Sequence, residues 1–146
     1  MAANTNAIFT SAGDIQWGAA DGNGGTAGPL KTQNTAMDGT GTVLTVFTAD
    51  ATNGGFVQRV RFRAAGTNIA TVARVFINNG STNATIANNT LFDEITLAAT
   101  TAAANAALAT YELPLNIALP AGFKINVTLG TTVAAGYQVT TIGGKY

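Results

Sequence analysis

The run FVQRVRFRAA, residues 56 to 65, alternates in character with a period of two. Phe56, Gln58, Val60 and Phe62 share one side, and Val57, Arg59, Arg61 and Arg63 share the other. A strand with one face turned inward has this period, whereas a helix repeats every 3.6 residues. Similar β-branched or alternating segments follow at intervals: TVLTVFTA (42–49), IATVARVFIN (69–78), LFDEITLAA (91–99), YELPLNIALP (111–120), FKINVTL (123–129) and AAGYQVTTIGG (134–144). Glycine, asparagine and proline separate them, as turns require. The stretch 100–110 is rich in alanine but has no strong apolar stripe, so it is expected as loop with at most a short helical turn. The spacing predicts an all-β fold, an antiparallel β-sandwich of about eight strands, with no βαβ alternation.

Local signals refine this expectation. Gly66-Thr67-Asn68 predicts a hairpin between segments 56–65 and 69–78, with Arg74 on the strand beside Arg59, Arg61 and Arg63. Pro120-Ala121-Gly122 predicts a hairpin-like pair from segments 111–120 and 123–129. Pro114 cannot donate to a ladder, so its strand is expected at an edge or to carry a bulge. Phe47, Phe56, Phe62, Phe76, Phe92 and Phe123 recur about once per segment, as a sandwich core needs. The sandwich domain is expected over 29–146. Residues 1–28 read as an irregular N-terminal arm, because GAADGNGGTAGP (18–29) favours loop. Ile8, Phe9, Ile15 and Trp17 are its apolar anchors, suited to its own domain or to a neighbour.

Composition excludes much chemistry. The chain has no cysteine and no histidine, which removes disulfides, thiolate zinc sites and the commonest general base. The two serines, Ser11 and Ser81, fall in loop-like segments outside any nucleophile motif. Asp93 and Glu94 are adjacent on one strand and so point to opposite faces, and Glu112 lies on another strand. Asp21-Gly22-Asn23 lacks the further acids of a calcium loop. No catalytic residue, cofactor site or metal site is expected, and the chain reads as a non-enzyme. No 18-residue apolar run and no leader-like N-terminus are present, so no membrane partner is expected and synthesis and folding are placed in a cytoplasm. The Asn-x-Ser/Thr triplets at Asn79, Asn83, Asn88 and Asn126 are expected to stay unmodified.

Charge is scarce and balanced, with seven basic and seven acidic residues, and a net charge near zero favours association. Arg59, Arg61, Arg63 and Arg74 hold four of the seven basic residues within 16 positions. Arginine is enriched at interfaces. Binding of nucleic acid would need a broader basic excess with stacking aromatics close by, so it is not expected. A ladder pairing these arginines with Asp93, Glu94 or Glu112 fits better, within or between subunits.

YELPLNIALPAGFKINVTLG, preceded by FVQRVRFRAAGTNIATVARVFINNGS, resembles the small jelly-roll proteins of tailed bacteriophages, among them the capsid decoration or cement proteins. The resemblance covers about residues 40 to 146. It rests on an Ala/Thr/Gly/Asn-rich, cysteine-free chain with a strand-LPAG-strand segment. It implies a homotrimer on the outer surface of the capsid, part of the virion, which contacts the major capsid protein and bridges capsomers. It carries no catalytic residues across. The arm (Ile8, Phe9, Ile15, Trp17) and the patch Arg59, Arg61, Arg63 and Arg74 are the contacts expected with the shell or with other subunits. The other role expected of such a module is on a tail or fibre, binding a receptor or host glycan through exposed aromatics such as Trp17 or Tyr111.

Overall fold

A computed structural model describes residues 12–17 and 28–146. The strands are β1 (Ala12–Trp17), β2 (Leu44–Thr48), β3 (Gly55–Ala64), β4 (Thr71–Asn78), β5 (Asn89–Leu97), β6 (Thr110–Leu119), β7 (Lys124–Leu129) and β8 (Tyr137–Lys145). They form two four-stranded sheets, ordered β1-β8-β3-β6 and β2-β7-β4-β5. Every pairing is antiparallel. Among the described residues there is no α-helix, only a 3₁₀ turn at Ile86–Asn88. The fold is all-β, with two antiparallel sheets as in a sandwich. Residues 100–109 are loop, with a bridge between Ala103 and Ala106, before β6 begins at Thr110.

One continuous core lies between the sheets. The first sheet contributes Val57, Val60, Phe62, Leu113, Leu115 and Val139, and the second Phe47, Ala73, Val75, Ile125, Val127 and Leu129. All are buried. β7 shows the alternation plainly, with Ile125, Val127 and Leu129 in this core and Asn126 and Thr128 on the other side.

Two expected hairpins are instead crossings between sheets. β3 lies in the first sheet and β4 in the second, and β6 and β7 are divided in the same way. Between β3 and β4 the chain is held by a buried asparagine. Asn68 Nδ2 donates to the Gly136 carbonyl at 3.0 Å, and its Oδ1 accepts from the N–H groups of Ala135 and Gly136. Its backbone also exchanges both hydrogen bonds with Thr100. The 66–68 turn is thus anchored mainly to other loops, with one longer bond of its own from Asn68 Nδ2 to the Gly66 carbonyl at 3.4 Å. At the second crossing, Phe123 N–H donates to the Pro120 carbonyl, while Gly122 N–H reaches the Asp50 carbonyl on the far loop. A tight turn fixes a change of direction, not which sheet the next strand joins.

Bulges also shift the alternation. Gln58 is an extra residue of β3 against β8, between the pairs Val57–Gly143 and Arg59–Ile142. Against β6 the same point places Gln58 opposite two residues, Leu115 and Asn116, and Asn116 takes a φ of 51°. The extra residue reverses the inside and the outside of β3. Val57 is therefore in the core with Val60 and Phe62, while Phe56 is only half-buried. The grouping of Phe56 and Gln58 with Val60 is corrected accordingly. A second bulge makes Phe92 the extra residue of β5, and Phe92 is 40% exposed, not a core residue. Phe76 is buried but lies on the outward side of β4, beyond the core cluster. Pro114 is on β6, an edge strand of the first sheet.

The reading of 1–28 as wholly irregular is corrected for Ala12–Trp17. Those six residues are β1, paired with β8 from Ala12–Lys145 to Trp17–Thr140. Ile8 and Phe9 lie outside the described residues.

Candidate functional site

The bulge at Gln58 sets the site. Past it, odd-numbered residues of β3 face outward, so Arg59, Arg61 and Arg63 stand on the outer side of the first sheet. Neighbouring strands complete the rows. Arg59 is opposite Pro114 on β6 and Ile142 on β8, and Ile142 is opposite Ile15 on β1. Arg61 is opposite Glu112 and Thr140, and Thr140 is opposite Trp17. Arg63 is opposite Thr110 and Gln138. The register thus brings the positions of Ile15 and Trp17 into the same two rows as Arg59 and Arg61. Half-buried Phe56 and Ile142 add apolar surface on the same side, Ile142 directly opposite Arg59.

Glu112 is shared. Its Oε1 lies 3.5 Å from Arg59 Nε and 4.0 Å from Arg61 Nε. Both Nε atoms are buried and make no hydrogen bond, so the contacts are electrostatic and loosely aligned. Arg59 also donates from Nη1 to Gln58 Oε1 at 3.0 Å. Such pairs, with side chains more than a third exposed, are worth about 0–1 kcal/mol each. Among the described residues, Glu112 is the one carboxylate paired with this row of three arginines. The face therefore keeps a positive excess, directed outward.

Arg74 does not join them. It stands on the outer side of the second sheet, where its Nε donates to Glu94 Oε1 at 2.7 Å. Its side chain is only 12% exposed. The four-arginine patch is corrected to three, because the crossing at 65–70 carries β4 to the other sheet. The expected arginine–carboxylate ladder exists in two separate pieces, Arg59 and Arg61 with Glu112, and Arg74 with Glu94.

Of the candidate aromatics, Tyr111 is held by structure together with Tyr137, and the side chain of Trp17 lies outside the described residues. Tyr111 packs against the core and its hydroxyl accepts from the Ala98 N–H at 3.1 Å. Tyr137 is buried and donates to the Ala98 carbonyl at 3.3 Å. Burial, and then the neighbouring Tyr111, raise the Tyr137 phenol above its ordinary 10.0. The two rings clamp one residue of the β5–β6 loop and offer no open stacking platform. Among the described residues, no three acidic side chains come together as a metal site would require. Glu94 and Glu112 lie on different sheets, so they cannot flank one bond.

The sequence pattern gave no sign of the asparagines on the second sheet's outer side. Asn34 Nδ2 donates to the carbonyls of Thr40 and Thr42, both at 2.7 Å. Asn83 Nδ2 donates to those of Gly39 and Gly41 at 3.2 and 2.8 Å. These bonds lay the 36–43 loop against the 79–89 loop, and a Cβ at Gly39 would meet Phe76 Cδ1 at 3.0 Å. Their only sequence signal is the density of asparagine in turn segments.

Compared with family models, curated proteins and solved structures, the chain matches none.

Proposed function

We propose that the protein is a structural virion component of jelly-roll form, a homotrimeric decoration or cement protein that binds the outer capsid surface of a tailed phage and bridges capsomers. The strand pairing supports the jelly-roll reading. Strands pair as 1 with 8, 2 with 7, 3 with 6 and 4 with 5. That is one long antiparallel hairpin wrapped into two layers. The role is supported by the surface, since a fold of this kind serves many functions.

The observation that carries it is the outer side of the first sheet. Two of the three arginines share one carboxylate, half-buried Phe56 and Ile142 lie on the same side, and the N-terminal strand is paired into the same rows. Arginine with apolar surface is the composition of a protein interface. Its positive excess suits an acidic surface on the shell. Bridging stabilises only the assembled state, because the ligand binds the assembled form and not its dispersed parts.

The test has two measurements. Light scattering on a size-exclusion column should give three times the chain mass of 14.7 kDa. Heads lacking the protein should then bind the wild type, and the Arg59→Ala/Arg61→Ala/Arg63→Ala variant should bind about tenfold or more weakly, increasingly so at low salt. A folded variant that binds heads as the wild type does would overturn the assignment of this face.

A further inference from the structure

A second surface has the chemistry of a ligand site, and it does not depend on the capsid role. It is a cleft of about 340 Å³ on the outer side of the second sheet. Its floor is Thr45, Asn78, Lys124 and Asn126, and its walls are Gly41–Val43 and Ser81–Asn83. The volume is at the small end of ligand pockets, suited to one sugar ring.

The walls are fixed by backbone-directed carboxamides. Asn83 holds the carbonyls of Gly39 and Gly41, and Asn34 holds those of Thr40 and Thr42. Asn88 Nδ2 donates to the Thr82 carbonyl at 2.8 Å, and Asn89 Nδ2 to that of Asn83 at 2.9 Å. The cleft is therefore formed before any ligand arrives, which lowers the cost of binding.

The floor keeps unused donors. Asn126 is 2% exposed, and its Oδ1 accepts from Thr45 Oγ1 at 2.8 Å. Among the described residues its Nδ2 has no partner. Lys124 is two positions away on β7, so both side chains lie on the outer side of the strand. Lys124 makes no ion pair among the described residues, and no carboxylate lines the cleft. The hydroxyls of Thr42 and Ser81 stand on the walls, also without partners among the described residues. An ammonium and an amide together suit a carboxylate, and the wall hydroxyls suit a ring bearing hydroxyls.

We infer that this cleft binds an acidic sugar, a pyranose ring carrying a carboxylate, such as a uronic-acid unit of a surface glycan. The carboxylate takes Lys124 Nζ and Asn126 Nδ2, and the ring hydroxyls meet Thr42, Ser81 and the free Oδ1 of Asn83. Among the described residues no aromatic lines the cleft, so recognition is polar and a single unit binds weakly.

The experiment is a titration of the full-length protein with D-glucuronate, followed by backbone amide shifts. Saturable shifts at Ser81–Asn83, Lys124 and Asn126 are expected, with a Kd on the order of 1 mM. Glucose should bind about tenfold or more weakly, and Lys124→Met, checked for an otherwise unchanged spectrum, should erase that difference. Inorganic phosphate is the control for charge alone. If phosphate shifts the same amides as strongly, the cleft is an anion site and the sugar assignment is overturned. No saturable shift up to about 50 mM glucuronate also overturns it.

Discussion

The two sheets share one core, yet their outer sides are built in opposite ways. Among the described residues the first leaves its strands open and carries three arginines, two of them paired with one glutamate. The second is roofed by its own loops, so that Phe76, Asn78, Asn126 and Thr128 are buried although they point away from the core. A roofed side must satisfy most of its polar groups internally, and Asn34, Asn83, Asn88 and Asn89 do so, while the Asn126 amide group is left to the cleft. An open side leaves that task to water or a partner. Stability therefore resides more in the second side and the proposed head contact in the first, and substitutions should separate the two.

The largest effect is expected at Phe76, which fills the space beneath the 36–43 loop. Phe76→Ala should destabilise the protein by about 3–5 kcal/mol, read from urea unfolding, while leaving intact the arginine face of whatever remains folded. Gly39→Ala should follow at about 2 kcal/mol, because Gly39 has a φ of +84° and the added Cβ would lie 2.8 Å from Asn89 Cβ. Asn83→Ala strips the donors from the carbonyls of Gly39 and Gly41 and should cost about 1–2 kcal/mol, with faster amide exchange in the 36–43 loop. Arg61→Ala on the open side should change stability by less than about 1 kcal/mol while weakening head binding. A large loss of stability there would mean that the arginine rows hold the fold and not a partner.

The roof should also respond to acid. The Asp38 carboxyl is held below its ordinary 3.8, first by the Thr40 hydroxyl and then by the Thr40 N–H. A lowered folded-state value contributes stability above the unfolded value, and this is lost as pH falls through the folded one. Asp38→Asn should therefore flatten part of the acid limb of the stability profile below about pH 4, and leave the profile at neutral pH parallel to wild type.

Much of the architecture was legible because period two survives in the strands without bulges. In β7 each residue faces as its polarity predicts. In β3 the same reading fails at Gln58, since an extra residue changes no residue type but reverses every side chain on one side of it. The arginines were found because charge concentrates visibly in a chain this poor in it. Their separation from Arg74 was not, because it depends on how Asn68 ties the 66–68 turn to Thr100 and to residues 135–136, far away in sequence. Strand segments are local properties, whereas their assignment to sheets is a long-range one. The asparagine cleft was hidden for the same reason: its parts come from 41–45, 78–83 and 124–126 and look like ordinary turn residues in each place.

The position of β8 has a consequence for how the molecule comes into being. β8 is central in the first sheet, between β1 and β3, yet follows every other described strand in the chain. On a ribosome the arginine strand and the N-terminal strand are both made long before the strand that joins them, at about 5–20 residues per second. The second sheet waits in the same way for β7, which lies between β2 and β4, but β7 precedes β8 in the chain. The arginine face is thus completed last, so the surface proposed to meet a partner stays incomplete until the rest of the domain is there to support it.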